Sequence, residues 1–223
     1  MTGGGSGIGK GVAAAVVASG GNAMLVGRNA DKLSAAVDEI TAGPGDGEVR
    51  FEPADVTDED EVARVVDAAT AWTGRLNGVV HCAGGTETIG PLTQVDSEGW
   101  RRAVDLNING SMYVLKHSAR ELVRGGGGSF IGISSIAASN THRWFGAYGV
   151  TKAALDHLMM LAADELGPSW VRVKRAASSR RLQLAPEELL WPAPGPLMVR
   201  PPALAEPLWL RIPKHIGSPG LNP

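Results

Sequence analysis

The sequence predicts an α/β protein built on a doubly wound parallel sheet. Between residues 8 and 173, short apolar runs of strand character alternate with segments of helical period. A glycine-rich turn, Thr2-Gly3-Gly4-Gly5-Ser6-Gly7-Ile8-Gly9, opens the chain. Helix start and stop signals separate the runs at spacings that suit strand-helix-strand crossovers.

Each element has its own signal. Residues 8–19 carry Val12, Ala15 and Val16, a small apolar pattern that predicts a helix packed closely on a sheet. Residues 22–26 read as a short buried strand and 30–40 as an amphipathic helix. The turn Gly43-Pro44-Gly45-Asp46-Gly47 precedes a strand at 49–53. Thr57-Asp58-Glu59-Asp60 then reads as a capping box whose helix runs to about Trp72. A strand is predicted at 76–81, a long interrupted helix at 97–123, and a strand at 129–133 after a run of four glycines. A strong helix spans 147–166, stopped by Gly167 and Pro168, and one more strand starts at 170–173.

Composition divides the chain at that point. Residues 1–173 hold 4 of the 14 prolines, with 14 basic and 20 acidic side chains; residues 174–223 hold 10 prolines, 7 basic and 3 acidic residues. The expected organisation is therefore a domain over 1–173 and an irregular proline-rich tail over 174–223. The net charge of −2 gives no electrostatic case for nucleic acid or an anionic membrane as partner. No run approaches the roughly 18 apolar residues of a membrane span. The single cysteine, Cys82, suits a reducing cytoplasm, the expected location. The five histidines show no metal-ligand spacing, so no metal is expected.

The opening turn places glycines where a backbone bends tightly and lets a phosphate approach the N–H groups of the following helix. A rival reading, Gly4-x-x-x-x-Gly9-Lys10, is nearly a nucleoside-triphosphate loop, but Gly11 stands where that loop needs a hydroxyl for Mg²⁺. Further along, Tyr148 and Lys152 lie one helical turn apart on one face. An ammonium so placed favours the phenolate and makes the tyrosine a usable proton donor and acceptor near neutrality. The plain alternative is a surface pair on a helix. Ser135 lies thirteen residues earlier, at the end of a predicted strand, and Asn107-Ile108-Asn109-Gly110 sits inside the long helix.

Together these stretches resemble the short-chain dehydrogenase/reductase family in its single-domain, Rossmann-like form. The resemblance covers residues 2–173 and rests on the TGxxxGxG turn, the NxxG at 107–110, Ser135, and YxxxK at 148–152. It implies that Tyr148 exchanges a proton with the substrate oxygen and that Ser135 orients that oxygen. Lys152 would hold the nicotinamide ribose and assist Tyr148, and Asn107 would hold a relay water, a role for which Asn109 is the structural rival. The cofactor site would comprise Gly3, Ser6, Gly7, Ile8, Gly9, Arg28, Asp55, Val56, Cys82, Ala83 and Gly84, with Tyr148 and Lys152. Gly27 and Arg28, at the end of the second family strand, favour NADP through its 2′-phosphate, with NAD as the alternative. His81 and Cys82 replace the family's usual asparagines, which weakens the hydrogen bonds expected there.

Both ends depart from the family. The strand that should launch the turn is missing, which predicts a sheet with two open interior edges and an original start upstream, Met1 being a valine codon read as an initiator. After Val173, Lys174-Arg175-Ala176-Ala177-Ser178-Ser179 departs from the family pattern, as a shifted reading frame or a genuine variant tail would produce. The implied activity is interconversion of a ketone and a secondary alcohol, in the style of the 3-oxoacyl-thioester reductases and general alcohol dehydrogenases. Loops 85–95 and 137–146 would line a partly apolar substrate pocket. The alternative is a catalytically impaired NADP-binding fragment that pairs with an intact relative. A homodimer or tetramer through the helices carrying Asn107 and Tyr148 is implied.

Overall fold

A computed structural model describes residues 1–178. Its order is α1 (Gly7–Ala18), β1 (Ala23–Gly27), α2 (Ala30–Thr41), β2 (Val49–Pro53), α3 (Glu59–Thr73), β3 (Gly78–His81), α4 (Ser97–Val104), α5 (Gly110–Arg124), β4 (Gly128–Ser135), α6 (Gly146–Leu166) and β5 (Val171–Ser178). All strand pairings are parallel: β1 with β2, β3 with β4, and β4 with β5.

Helices cover both faces, as alternation along the strands requires. On one face Ala23 and Leu25 pack under Ala13, Val17, Leu33 and Ile40 of α1 and α2. Val80 and Ile133 continue that layer against Val12. On the other face Val79 and Phe130 meet Val114, Leu122, Leu155 and Met159 of α5 and α6. The doubly wound arrangement expected from the sequence is the one observed.

Met1 and Thr2 lie between β1 and β3: Thr2 bridges Val26 on one side and His81 on the other, both in parallel. Thr2 donates its amide to Val80 at 3.1 Å, and Met1 accepts from the Val26 amide at 2.8 Å. Beyond this two-residue bridge β1 and β3 separate around a cleft of about 430 Å³, lined by Met24, Val26, Val62, Val65, Val79 and Val114 among others. The Met1 ammonium lies at the cleft and donates to the Met24 carbonyl at 2.9 Å. Burial pushes that amine down to about 6.

Two local expectations are corrected. Regular structure expected to end at Val173 continues to Ser178, so a boundary at 173 falls inside β5. Lys174 and Arg175 face outward on this strand, and the Arg175 guanidinium pairs with Asp156 of α6. The cap of α3 is Asp58 rather than Thr57; its carboxylate accepts from the amides of Asp60 and Glu61 at 3.0 and 3.1 Å. Glu61 reaches back past the cap to the Asp55 amide at 2.7 Å, while the Asp58 amide bonds the Asp55 carbonyl, so the reciprocal box does not form. The proline-rich tail from residue 179 onward lies outside the described residues.

Candidate active site

The glycine turn is shaped by close backbone approaches. Gly3 has φ +64°, and a Cβ there would stand 3.0 Å from the Ala83 nitrogen and Cys82 carbonyl carbon. A Cβ at Gly9 would stand 2.5 Å from the Gly3 carbonyl oxygen. The turn is thus folded onto both the first residues of α1 and the end of β3. Ser6 caps the 12-residue α1 without a side-chain hydrogen bond, and no acidic residue occupies the first turn. The first amides of α1 are therefore left without a side-chain cap at a positive helix end, a fit for a pyrophosphate. Lys10 does not join them; its ammonium is 2.5 Å from Glu39. The triphosphate-loop reading loses its lysine as well as its hydroxyl.

The residues expected at the adenosine end lie along the C-terminal edge of β1 and β2. A Cβ at Gly27 would touch only the Leu33 side chain, at 3.7 Å, which leaves room beside the strand. The Arg28 side chain is 71% exposed, with its guanidinium 3.9 Å from the Asp55 carboxylate. Asp55 also accepts from Thr57, amide at 3.0 Å and hydroxyl at 2.8 Å, which fixes the loop entering α3. Val56 is buried beside it, against Gly110.

Around Gly84 two of the expected catalytic residues, Asn107 and Lys152, converge from different helices. The helix between residues 97 and 124 is interrupted by a π-helical turn, Asp105–Asn109, and Asn107 sits in it with no exposure. A widened turn of this kind rotates the following side chains and is common at functional sites. Asn107 clamps Gly85, accepting from its amide at 3.0 Å and donating to its carbonyl at 2.8 Å. It also donates to Thr151 of α6 at 3.1 Å. Lys152 comes from the same helix, 5% exposed, and donates to the Ile133 carbonyl of β4 at 2.9 Å. A Cβ on Gly84 would lie 2.8 Å from the Asn107 amide oxygen and 3.0 Å from the Lys152 ammonium. Glycine is required there because those two polar groups share the space above it. Asn109 points elsewhere, to Asp105 at 2.8 Å on an exposed surface.

Tyr148 is half-buried, with the Lys152 ammonium 5.7 Å from its ring centroid and the Phe145 ring edge-on at 6.4 Å. Ser135 ends β4 and is buried; its hydroxyl oxygen accepts from the Ala137 amide at 3.2 Å. Burial, little relieved by Cys82 and Asp156, pushes the Lys152 ammonium down to about 8. Burial also pushes the Cys82 thiol up to about 11, so its reactive thiolate is disfavoured.

The expected weakening at His81 is reversed. Its imidazole is buried and makes two hydrogen bonds, Nδ1 to the Thr2 hydroxyl at 2.8 Å and Nε2 to the Ser111 hydroxyl at 2.9 Å. Thr151 and Ser111 are site residues that sequence reasoning missed. The position of Thr151 within YxxxK, one residue before the lysine, was the available signal. Loops 90–92 and 137–146, from the two segments expected to form the substrate pocket, border a cavity of about 450 Å³ lined by Leu92, Trp144, Phe145 and Val150 among others; Ser135, Tyr148 and Lys152 are not among its lining residues.

A family model described as short chain dehydrogenase matches residues 1–179. A cis-4-hydroxycyclohexanecarboxylate dehydrogenase from Sinomonas cyclohexanicum is 32% identical over 179 residues, covering 79% of this chain and 70% of the relative. A solved short-chain type dehydrogenase/reductase from Mycobacterium ulcerans is 74% identical with a TM-score of 0.78, over 79% of this chain and 64% of that one. The chain thus spans less than two thirds of that structure. An NAD⁺-bound xylitol dehydrogenase superposes with a TM-score of 0.76 at 27% identity, over 79% of this chain and 67% of its own. The matched segment includes the glycine turn, Asn107, Ser135, Tyr148 and Lys152, and the chain belongs to the short-chain dehydrogenase/reductase family of oxidoreductases.

Proposed function

We propose that the chain interconverts a ketone and a secondary alcohol with NADP(H), Tyr148 serving as proton donor and acceptor. The observation that carries this reading is the convergence of Asn107 and Lys152 over Gly84, with Tyr148 one turn from Lys152. Gly3, Ser6, Gly7, Ile8 and Gly9 would hold the pyrophosphate, Asp55 and Val56 the adenine, and Cys82, Ala83 and Gly84 the floor beneath the nicotinamide ribose. When bound, the dihydronicotinamide supplies a hydride to the carbonyl carbon. As the C=O π pair moves onto oxygen, the Tyr148 phenol gives that oxygen its proton. Ser135 donates a hydrogen bond to the same oxygen and fixes its direction. The Lys152 ammonium stabilises the phenolate left behind, and Asn107 holds Gly85 so that proton return from solvent has a fixed path. In the oxidative direction each proton step reverses.

Arg28 supports the choice of NADP. It is an exposed planar cation beside a glycine that leaves space, and no carboxylate ends β1 to claim ribose hydroxyls. Exposed Met112, Met160 and Leu161 on α5 and α6 support pairing of two copies through those helices.

The test is NADPH fluorescence on binding, followed by oxidation with cyclic ketones and 3-oxoacyl thioesters. Turnover that falls at least about a thousandfold in Tyr148→Phe, with NADPH affinity retained, is expected. Arg28→Asp should weaken NADPH binding about tenfold or more while sparing NADH. Binding without turnover on any ketone makes the chain a nucleotide-binding module, and NADH preferred by the wild type removes the NADP assignment.

A further inference from the structure

We infer that His81 is a positioning residue: a neutral imidazole protonated on Nε2, it ties the dinucleotide-binding turn to the π-helical turn that presents Asn107. The inference rests on the reading of Asn107 and the glycine turn given above, and extends it to residues with no assigned role.

The direction of every bond in the chain follows from its neighbours. Ser111 has one hydroxyl hydrogen and donates it to the Asn107 carbonyl at 2.7 Å. Its oxygen can then only accept from His81, so Nε2 carries the ring proton. Nδ1 is left with a lone pair, and the Thr2 hydroxyl donates to it at 2.8 Å. The Thr2 oxygen in turn accepts from the Ala83 amide at 3.1 Å. The line therefore runs Thr2, His81, Ser111, Asn107, and then through the Asn107 side chain to Gly85 and Thr151. Every donor meets an acceptor, and Thr2, His81, Asn107, Ser111 and Thr151 are all buried. The opposite tautomer would set two lone pairs against each other at Ser111, or strip the Asn107 carbonyl of its hydroxyl partner.

Protonation would reverse the Thr2 bond, turning its hydroxyl from donor to acceptor and taking from its hydrogen the Nδ1 lone pair that receives it. The surroundings oppose it. Burial first, then the Lys152 and Met1 ammonium groups, push the imidazole down to about 3. Cys82, the adjacent titratable side chain, is a neutral thiol. A flat ring with a nitrogen on each side reaches both hydroxyls. The consequence is coupling. Thr2 sets the start of the turn that receives the pyrophosphate, Ser111 sets the carbonyl of the residue at the proton path, and His81 makes the two move together.

The test has two arms. In ¹⁵N-histidine-labelled protein, with His81 assigned by its loss in His81→Phe, the long-range ¹H–¹⁵N spectrum should show protonated Nε2 and unprotonated Nδ1, unchanged between about pH 5 and 8. A Nδ1–H ring, or one titrating in that range, overturns the inference. In the second arm, Ser111→Ala should lower kcat about tenfold with the NADPH dissociation constant within about twofold, and Thr2→Val should chiefly weaken NADPH. The double variant of His81→Phe with Ser111→Ala should lose no more kcat than His81→Phe alone; additive losses overturn the coupling. If the wild type turns over no ketone, the functional reading fails by itself, and the tautomer together with the same double cycle read in NADPH affinity and melting temperature still decides His81.

Discussion

Lys152 illustrates what a single side chain here must reconcile. Its stem is buried beneath the site and its ammonium is held by the Ile133 carbonyl, yet the charge has lost most of its water. Its folded value of about 8 lies below the ordinary 10.5, so between these values the unfolded chain binds more protons than the folded one. Stability therefore rises with pH across that window, and the charged lysine costs on the order of 3 kcal/mol below it. Lys152→Met should be inactive, and the stability difference between it and wild type should change by about that amount from pH 8 to 10.5 in urea titrations. Parallel stability curves would show that the ammonium is solvated. At this scale the pairing of Tyr148 with Lys152 was legible because helical period alone places i and i+4 together. The bonds from Asn107 to Thr151 and from His81 to Ser111 were not, since they join residues 44 and 30 positions apart through tertiary packing.

Helix α1 and its turn show the constraint on an element. The α1 N-terminus rests on the Gly3 carbonyl, and Gly9 is where the two backbones nearly touch. Gly9→Ala should push the helix off the turn, lower the melting temperature by several degrees and weaken NADPH at least about tenfold, measured by thermal denaturation and fluorescence titration. Unchanged affinity would separate the turn from nucleotide binding. Helices and strands were legible through their 3.6 and 2.0 periods. The π turn at Asp105–Asn109 was visible only as an interruption, because its residues carry the same mixture of apolar and polar types as a helix. The far half of β5 was hidden for another reason. It is an edge strand among the described residues, so Lys174 and Arg175 sit on an exposed flank and read as a charged break. Asp58 displaced Thr57 as the cap of α3 because a carboxylate at that place satisfies two amides at once.

At the scale of the whole domain, the described residues form a sheet in two parts joined at one end by Met1 and Thr2. Alternation in parallel ladders puts the amides of Met24 and Val80 toward the cleft, while those of Leu25 and Val79 bond to β2 and β4. Hydrogen exchange should be about a hundredfold or more faster at Met24 and Val80 than at Leu25 and Val79. Equal protection would show that another strand pairs both edges in solution. The two-faced α/β architecture was legible from alternating elements, and so were the open interior edges. The bridging role of Met1 and Thr2 was not, since two residues carry no period.

The central claim is that a dinucleotide lies on the α1 turn with its reactive ring beside Tyr148 and Ser135. A crystal structure of the full chain with NADPH measures this directly. The account predicts pyrophosphate oxygens on the amides of Gly7, Ile8 and Gly9, with the Tyr148 and Ser135 hydroxyls both within roughly 3 to 4 Å of one point above the nicotinamide. Nucleotide bound elsewhere, or a phenol turned into solvent out of reach of Ser135, would contradict it.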